Sequence, residues 1–231
     1  MVCISKNSPL STGAYTLPDA AKLLHLPIPR LRTWVIGRTI ADQSMGRKKV
    51  YPAGDVKSNG IARDRHFSFY TLVELFTLAS LRGLGVSLRV IRQARSELAE
   101  RENTSHPFAL EGLLTDRKKL LFDLGEKALL ELGAGGQTSF EEIIAPFCIR
   151  LDFDATTRMA CRYHPLGKDK PIIVDPARAF GRPIVVGTNI ATENVAALIR
   201  GGETVEDVAS DFGLAPEVVS EVWSFENRLV A

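Results

Sequence analysis

Six basic side chains crowd the front of this sequence: Arg30, Arg32, Arg38, Arg47, Lys48 and Lys49. Guanidinium and ammonium groups at such density neutralise phosphates, and arginine also reads guanine edges through paired hydrogen bonds. Ile28 and Thr33 lie in the same stretch and complete a candidate DNA-contacting set. The far end carries a different chemistry. After position 170 the basic residues are Arg178, Arg182, Arg200 and Arg228, set among nine acids that include Glu217 and Glu221. Carboxylates facing a nucleic acid would be repulsive, so this end suits a basic protein instead. Two smaller constellations compete with these. Asp152 and Asp154 alternate as a carboxylate pair on one strand face would, which could serve acid–base work or a metal. A solvated sheet edge is the simpler reading of that pair. Cys148, Cys161 and His164 could hold a metal in a metal-responsive regulator, although cysteines beside Phe147, Ile149 and Met159 also suit a core.

The charge distribution sharpens this contrast. Residues 1–100 hold fifteen basic against seven acidic side chains, a surplus of eight. Residues 101–170 hold ten against eleven, and residues 171–231 hold four against nine. The total of +2 is therefore a basic front nearly cancelled by an acidic back. The length of 231 residues, with 45% hydrophobic and 24% charged, fits two unequal folded modules rather than a disordered chain. No run of about 18 apolar residues occurs, so no membrane span is expected. The first residues lack the apolar stretch of a secretory signal, and three scattered cysteines suit a reducing cytoplasm. No Ser-His-Asp order, P-loop, HExxH or GxGxxG motif is present, so neither an enzyme nor a cofactor site is expected.

These side chains need elements to position them. Tyr15 to Val35 reads as two short helices, with Pro18 and Asp19 in the first turn and a break at His25 to Pro29. Arg65 to Tyr70 alternates like a short strand, and Thr71 is expected to cap the helix that follows. Gly83 and Gly85 end that helix, and Ser87 opens another that runs to about Glu102. Leu120–Phe122, Ala128–Leu130, Phe147–Ile149 and Met159–Tyr163 suggest strands separated by turns such as Gly133–Gly136. Beyond the polar stretch Leu166–Lys170 come strand-like Ile172–Val174 and Ile184–Val186. Helices are expected over Thr192–Arg200, Thr204–Phe212 and Pro216 to about Arg228. Thr204 with Asp207 resembles a capping box with Asp in place of Glu.

Two helix-turn-helix patterns share one register. Ala21 and Ala209 are the small residues at the helix crossing; Leu24 and Phe212 follow three positions on. His25 and Gly213 occupy the turn, where positive φ is often required. Leu31 and Val219, then Trp34 and Val222, complete the shared cores. An ordinary αα-hairpin is the alternative at either place. The exposed faces distinguish the two pairs, being Ile28, Arg30, Arg32 and Thr33 in the first and Glu217, Ser220 and Glu221 in the second.

Tyr15-Thr16, Ala20 to Leu24, Leu31-Arg32-Thr33-Trp34, Phe69-Tyr70-Thr71 and Leu81 to Arg92 together resemble the MerR-type winged helix-turn-helix domain. That resemblance implies a helix in the DNA major groove and a wing, here about Gly37 to Arg65, on the backbone. The long C-terminal coiled coil of dimeric MerR activators is lacking. Ile173 to Pro176, Phe180 to Pro183, Gly187 to Ile190, Gly201 to Ala209 and Phe212 to Leu214 resemble a small bacterial domain of unknown function. That domain occurs in VapB-type antitoxins encoded beside toxins with a PIN or PIN-like nuclease fold.

The resemblance implies an antitoxin that silences a PIN-like ribonuclease toxin and represses the shared operon by binding operator DNA. Arg178, Arg182, Arg200 and Arg228, with Glu217 and Glu221, are the toxin-contact candidates it suggests. A cytoplasmic homodimer, or a larger toxin–antitoxin complex, is expected, because operators are usually paired half-sites. The rival is a MerR-like regulator without a toxin, responsive to a ligand or metal. The expected architecture is α+β, mainly α with a β-rich middle. Residues 1–102 would form the winged domain, 103–170 a β connector and 171–231 an antitoxin-type helical domain.

Overall fold

The computed structural model describes residues 15–24, 26–36, 38–41, 48–51, 66–83, 87–111 and 149–228. Among these, α1 (Leu17–Leu24) and α2 (Ile28–Ile36) form the first helix pair. Thr16 and Asp19 cap α1 reciprocally. The Thr16 backbone N–H donates to the Asp19 carboxylate at 2.8 Å, and the Asp19 N–H donates to the Thr16 hydroxyl at 3.3 Å. Strands β1 (Arg38–Ala41) and β2 (Lys48–Tyr51) then pair antiparallel.

The stretch expected to be a strand at 65–70 is instead the entry to a helix. Among the described residues of the stretch only Phe67 bridges, to Tyr15, and α3 (Phe69–Gly83) begins two residues later. Thr71 already lies inside α3, and its backbone N–H donates to the Ser68 hydroxyl at 3.2 Å. Ser68 therefore does the capping assigned to Thr71. The alternation was genuine, because Phe67 and Phe69 are both fully buried. Two alternate apolar residues are equally compatible with a bridge followed by a capped helix start. Helix α4 (Leu88–Arg101) follows as expected, with Ser87 accepting from the Val90 N–H. Arg95 of α4 and His106 both reach the buried Glu74 of α3, at 3.0 and 3.4 Å.

Strands β3 (Leu151–Phe153), β4 (Ala160–Tyr163), β5 (Ile172–Val174) and β6 (Pro183–Val185) form one antiparallel sheet in sequence order. The pairing of Tyr163 with Val174 carries this sheet across position 170. Helices α5 (Thr192–Arg200), α6 (Val205–Phe212) and α7 (Pro216–Arg228) close the chain. At α6, Thr204 accepts from the Asp207 N–H at 3.1 Å, while the Asp207 carboxylate accepts the Thr204 hydroxyl at 2.7 Å. The fold is thus α+β. The strands expected at 120–122 and 128–130, the turn at 133–136, and Phe147 and Cys148 lie outside the described residues.

Buried side chains from α1–α4, the sheet and α5–α7 belong to one contiguous cluster. Leu31 and Trp34 from the front share it with Val219, Val222 and Phe225 from the back. No helix among the described residues is long and apolar enough to cross a membrane.

Candidate functional surfaces

The two helix pairs share most of their buried positions and their turn hydrogen bond, although Phe212 is only half-buried where its counterpart Leu24 is buried. Ala21 and Ala209 are buried where the helices cross, and so are Leu31 with Val219 and Trp34 with Val222. In the first pair the Leu26 N–H donates to the Ala21 carbonyl at 2.9 Å. In the second the Leu214 N–H donates to the Ala209 carbonyl, also at 2.9 Å. This six-residue closure belongs to a helix end with a left-handed residue before the donor. Gly213 is that residue in the second pair, at φ 64°. Its counterpart His25 lies outside the described residues.

Their surfaces differ in sign. On α2, Ile28, Arg30 and Arg32 are exposed and the first turn holds no acid. The positive end of the helix dipole therefore faces outward without a competing carboxylate, as an approaching phosphate requires. On α7 the first turn holds Glu217, and α5 and α6 likewise begin with acids. Arg38 lies on β1 opposite Tyr51, whereas Lys48 and Lys49 lie on β2 opposite Ala41 and Ile40, so the antiparallel pair carries basic positions at both of its ends. Thr33 lies on α2. Arg47 is outside the described residues.

The residues expected to meet a protein partner fall into two groups, one at the turn between β5 and β6 and one on or against α7. Arg178 and Arg182 flank one exposed turn between β5 and β6; the Arg178 guanidinium donates to the Thr188 carbonyl at 3.4 Å. Arg200, at the end of α5, lies over the Trp223 ring with its guanidinium carbon 5.8 Å from the centroid. Glu217 is exposed. Glu221 bonds Lys170 at 2.6 Å, and that bond raises the Lys170 pKa above its ordinary value. Arg228 is the last residue of α7.

The carboxylate pair is not assembled as the pattern suggested, and Cys148 of the Cys148, Cys161 and His164 set lies outside the described residues. β3 ends at Phe153, so Asp154 leaves the strand and caps a turn, accepting from the Thr156 and Thr157 N–H groups. Asp152 pairs instead with His164 at 3.0 Å and Lys168 at 2.7 Å. Burial would raise the Asp152 pKa, but the hydrogen bonds from Lys168 and His164 outweigh it and hold it below the ordinary value. Among the described residues no group of three His, Cys, Asp or Glu side chains is placed to hold a metal ion.

Sequence reasoning missed a cleft of about 360 Å³ where α1 meets the back of the molecule. Tyr15, Lys22, Phe180, Arg182, Glu193 and Glu226 are among its walls. Lys22 Nζ lies 3.0 Å from the Glu226 carboxylate, whose other oxygen accepts the Thr192 hydroxyl at 2.5 Å. The Tyr15 hydroxyl is buried and has no hydrogen-bond partner among the described residues. Burial first, then the negative fields of Asp175 and Asp19, push its pKa well above the ordinary phenol value. No sequence signal pairs residues so far apart.

The family model described as "Protein of unknown function (DUF433)" matches residues 172–225, from β5 into α7. A Mycobacterium tuberculosis protein named "Putative antitoxin VapB45" is 24% identical over 214 residues, covering 88% of this chain and 89% of its own. "Uncharacterized protein Rv2308" of the same organism is 31% identical over 65 residues, covering 28% of this chain and 27% of its own. The X-ray crystal structure of Rv2018 from Mycobacterium tuberculosis superposes with a TM-score of 0.70 at 22% identity. The match covers 92% of this chain and 98% of that one. The fold is therefore shared across nearly the whole of both chains.

Proposed function

We propose that this chain is the antitoxin of a type II toxin–antitoxin pair, acting by binding rather than by catalysis. The α1–α2 pair with the β1–β2 wing forms a MerR-like winged helix-turn-helix that holds operator DNA as a homodimer and represses the shared operon. The acidic back of the molecule holds and silences a PIN-like ribonuclease in the cytoplasm. One observation carries this reading: two helix pairs of the same buried register and turn bond expose opposite charge. Arg30 and Arg32 suit phosphate, whereas Glu217 on α7 suits the basic groove with which a ribonuclease handles RNA. The antitoxin name of the relative that matches along most of both chains supports the same reading.

Co-expression of this chain with the product of the neighbouring reading frame tests the proposal. The expected result is a complex that survives purification and lacks the ribonuclease activity of the neighbour alone. A neighbour without ribonuclease activity, or one whose activity this chain leaves unchanged, would favour a regulator that has no toxin.

A further inference from the structure

Three consecutive residues in the turn between β5 and β6 adopt left-handed backbone conformations: Ala179 at φ 43°, Phe180 at 57° and Gly181 at 78°. Only the last is a glycine. Residues with a β-carbon adopt this region at a steric cost that glycine escapes, and such strain persists only where the surroundings over-determine it. Here they do. The Arg178 N–H donates to the Asp175 carbonyl, the Gly181 N–H to the Arg178 carbonyl, and the Arg182 N–H to the Ala179 carbonyl, at 2.8 to 3.1 Å. The Gly181 Cα faces the Tyr15 phenol so closely that a β-carbon there would overlap the hydroxyl oxygen. Tyr15, just ahead of α1, thus buttresses the turn from the front of the molecule.

The product of this constraint is an aromatic ring held in solvent. Phe180 is 82% exposed, the largest exposure among the exposed large hydrophobic residues of the described chain. Exposed Arg178 and Arg182 stand on either side of it, and the cleft opens at its base. A rigidly presented aromatic flanked by arginines has the composition of a binding hot spot, not of an idle surface.

We infer that Phe180 is the anchor by which this chain grips the ribonuclease of the proposed pair. Its ring enters an apolar pocket set apart from the basic groove that meets Glu217, with carboxylates at the rim facing Arg178 and Arg182. The inference rests on the antitoxin reading and names the contact residue within it. Nucleic acid does not fit this position, because Asp19 and Glu193 stand beside the turn in the cleft wall, where Glu226 already neutralises Lys22, and the last 61 residues carry nine acids against four bases. A second copy does not fit either. A two-fold contact through the same turn would set two pairs of guanidinium groups against one another.

Calorimetric titration of the full-length chain with the purified product of the neighbouring reading frame tests this. F180A should weaken binding about 100-fold, the loss typical of a central aromatic anchor. F180L should retain a large part of the affinity, and R178E/R182E should lose affinity and association rate. F180A should leave the melting temperature and operator affinity at wild-type values, since the ring contributes nothing to the core. Wild-type affinity in F180A would overturn the anchor while leaving the antitoxin reading intact. No binding by the wild-type chain would overturn both. A change of oligomeric state in F180A by analytical ultracentrifugation would assign the ring to self-association and overturn the anchor.

Discussion

Lys22 of α1 and Glu226 of α7 meet at 3.0 Å, although 204 positions separate them in the chain. The Glu226 side chain is almost wholly buried, that of Lys22 about one-third exposed, and Thr192 supplies the second carboxylate oxygen with a donor. The basic front and the acidic back are thus held together at their seam by one of each sign. Truncating Lys22 to Ala should cost about 2–3 kcal/mol, because it leaves a buried carboxylate short of its cation. The pair K22M/E226Q should lie within about 1 kcal/mol of wild type, since both charges go together. Urea unfolding of the three proteins measures this; a loss below about 0.5 kcal/mol in K22A would class the contact as an ordinary surface pair.

Gly213 and Gly181 make a controlled comparison. Both have positive φ, but a β-carbon at Gly213 meets open space while one at Gly181 meets the Tyr15 ring. G213A should cost about 1 kcal/mol from backbone conformation alone. G181A should cost about 1–3 kcal/mol more, because the phenol must move. Equal losses in denaturant titrations would mean that Tyr15 does not press on the turn.

The buried Tyr15 hydroxyl has no hydrogen-bond partner among the described residues, so Tyr15→Phe should be neutral or stabilising by up to about 1 kcal/mol. A destabilisation of more than about 1 kcal/mol, measured by thermal and urea unfolding, would show that the hydroxyl is satisfied in solution.

Acid stability follows from Asp152. Its carboxyl is held below its ordinary value of 3.8 by Lys168 and His164, which outweigh its burial. A depressed folded-state pKa contributes stability that is complete above the unfolded value and is lost as pH falls through the folded one. Below about pH 4, D152N should therefore lose stability less steeply than wild type. Parallel acid profiles, followed by circular dichroism at fixed urea, would remove Asp152 from the account.

Much of this architecture was legible in local sequence, and the reason is visible in the pairs that succeeded. Ala21 with Leu31 and Ala209 with Val219 lie within one helix pair each, where spacing alone dictates which side chains face inward. Ser87 and Thr204 cap the helices that their positions suggested. The strand expected at 65–70 failed because two alternate phenylalanines look the same ahead of a capped helix as within a strand. The cleft was invisible because its walls come from α1, the β5–β6 turn, α5 and α7. The exposure of Phe180 was invisible too: a phenylalanine in a left-handed turn contradicts the preference of its residue type, and only the hydrogen bonds and the Tyr15 contact enforce it.

The central claim is a division of labour by charge between two helix pairs of like geometry. The most direct measurement is the salt dependence of binding to the DNA upstream of the chain's own gene, by fluorescence anisotropy. R30A/R32A should weaken binding and reduce the slope of log K against log salt by about two per protomer, while E217Q/E221Q should leave both unchanged. An unchanged slope in R30A/R32A, with DNA affinity lost or altered in E217Q/E221Q, would contradict the assignment and reverse the roles of the two ends.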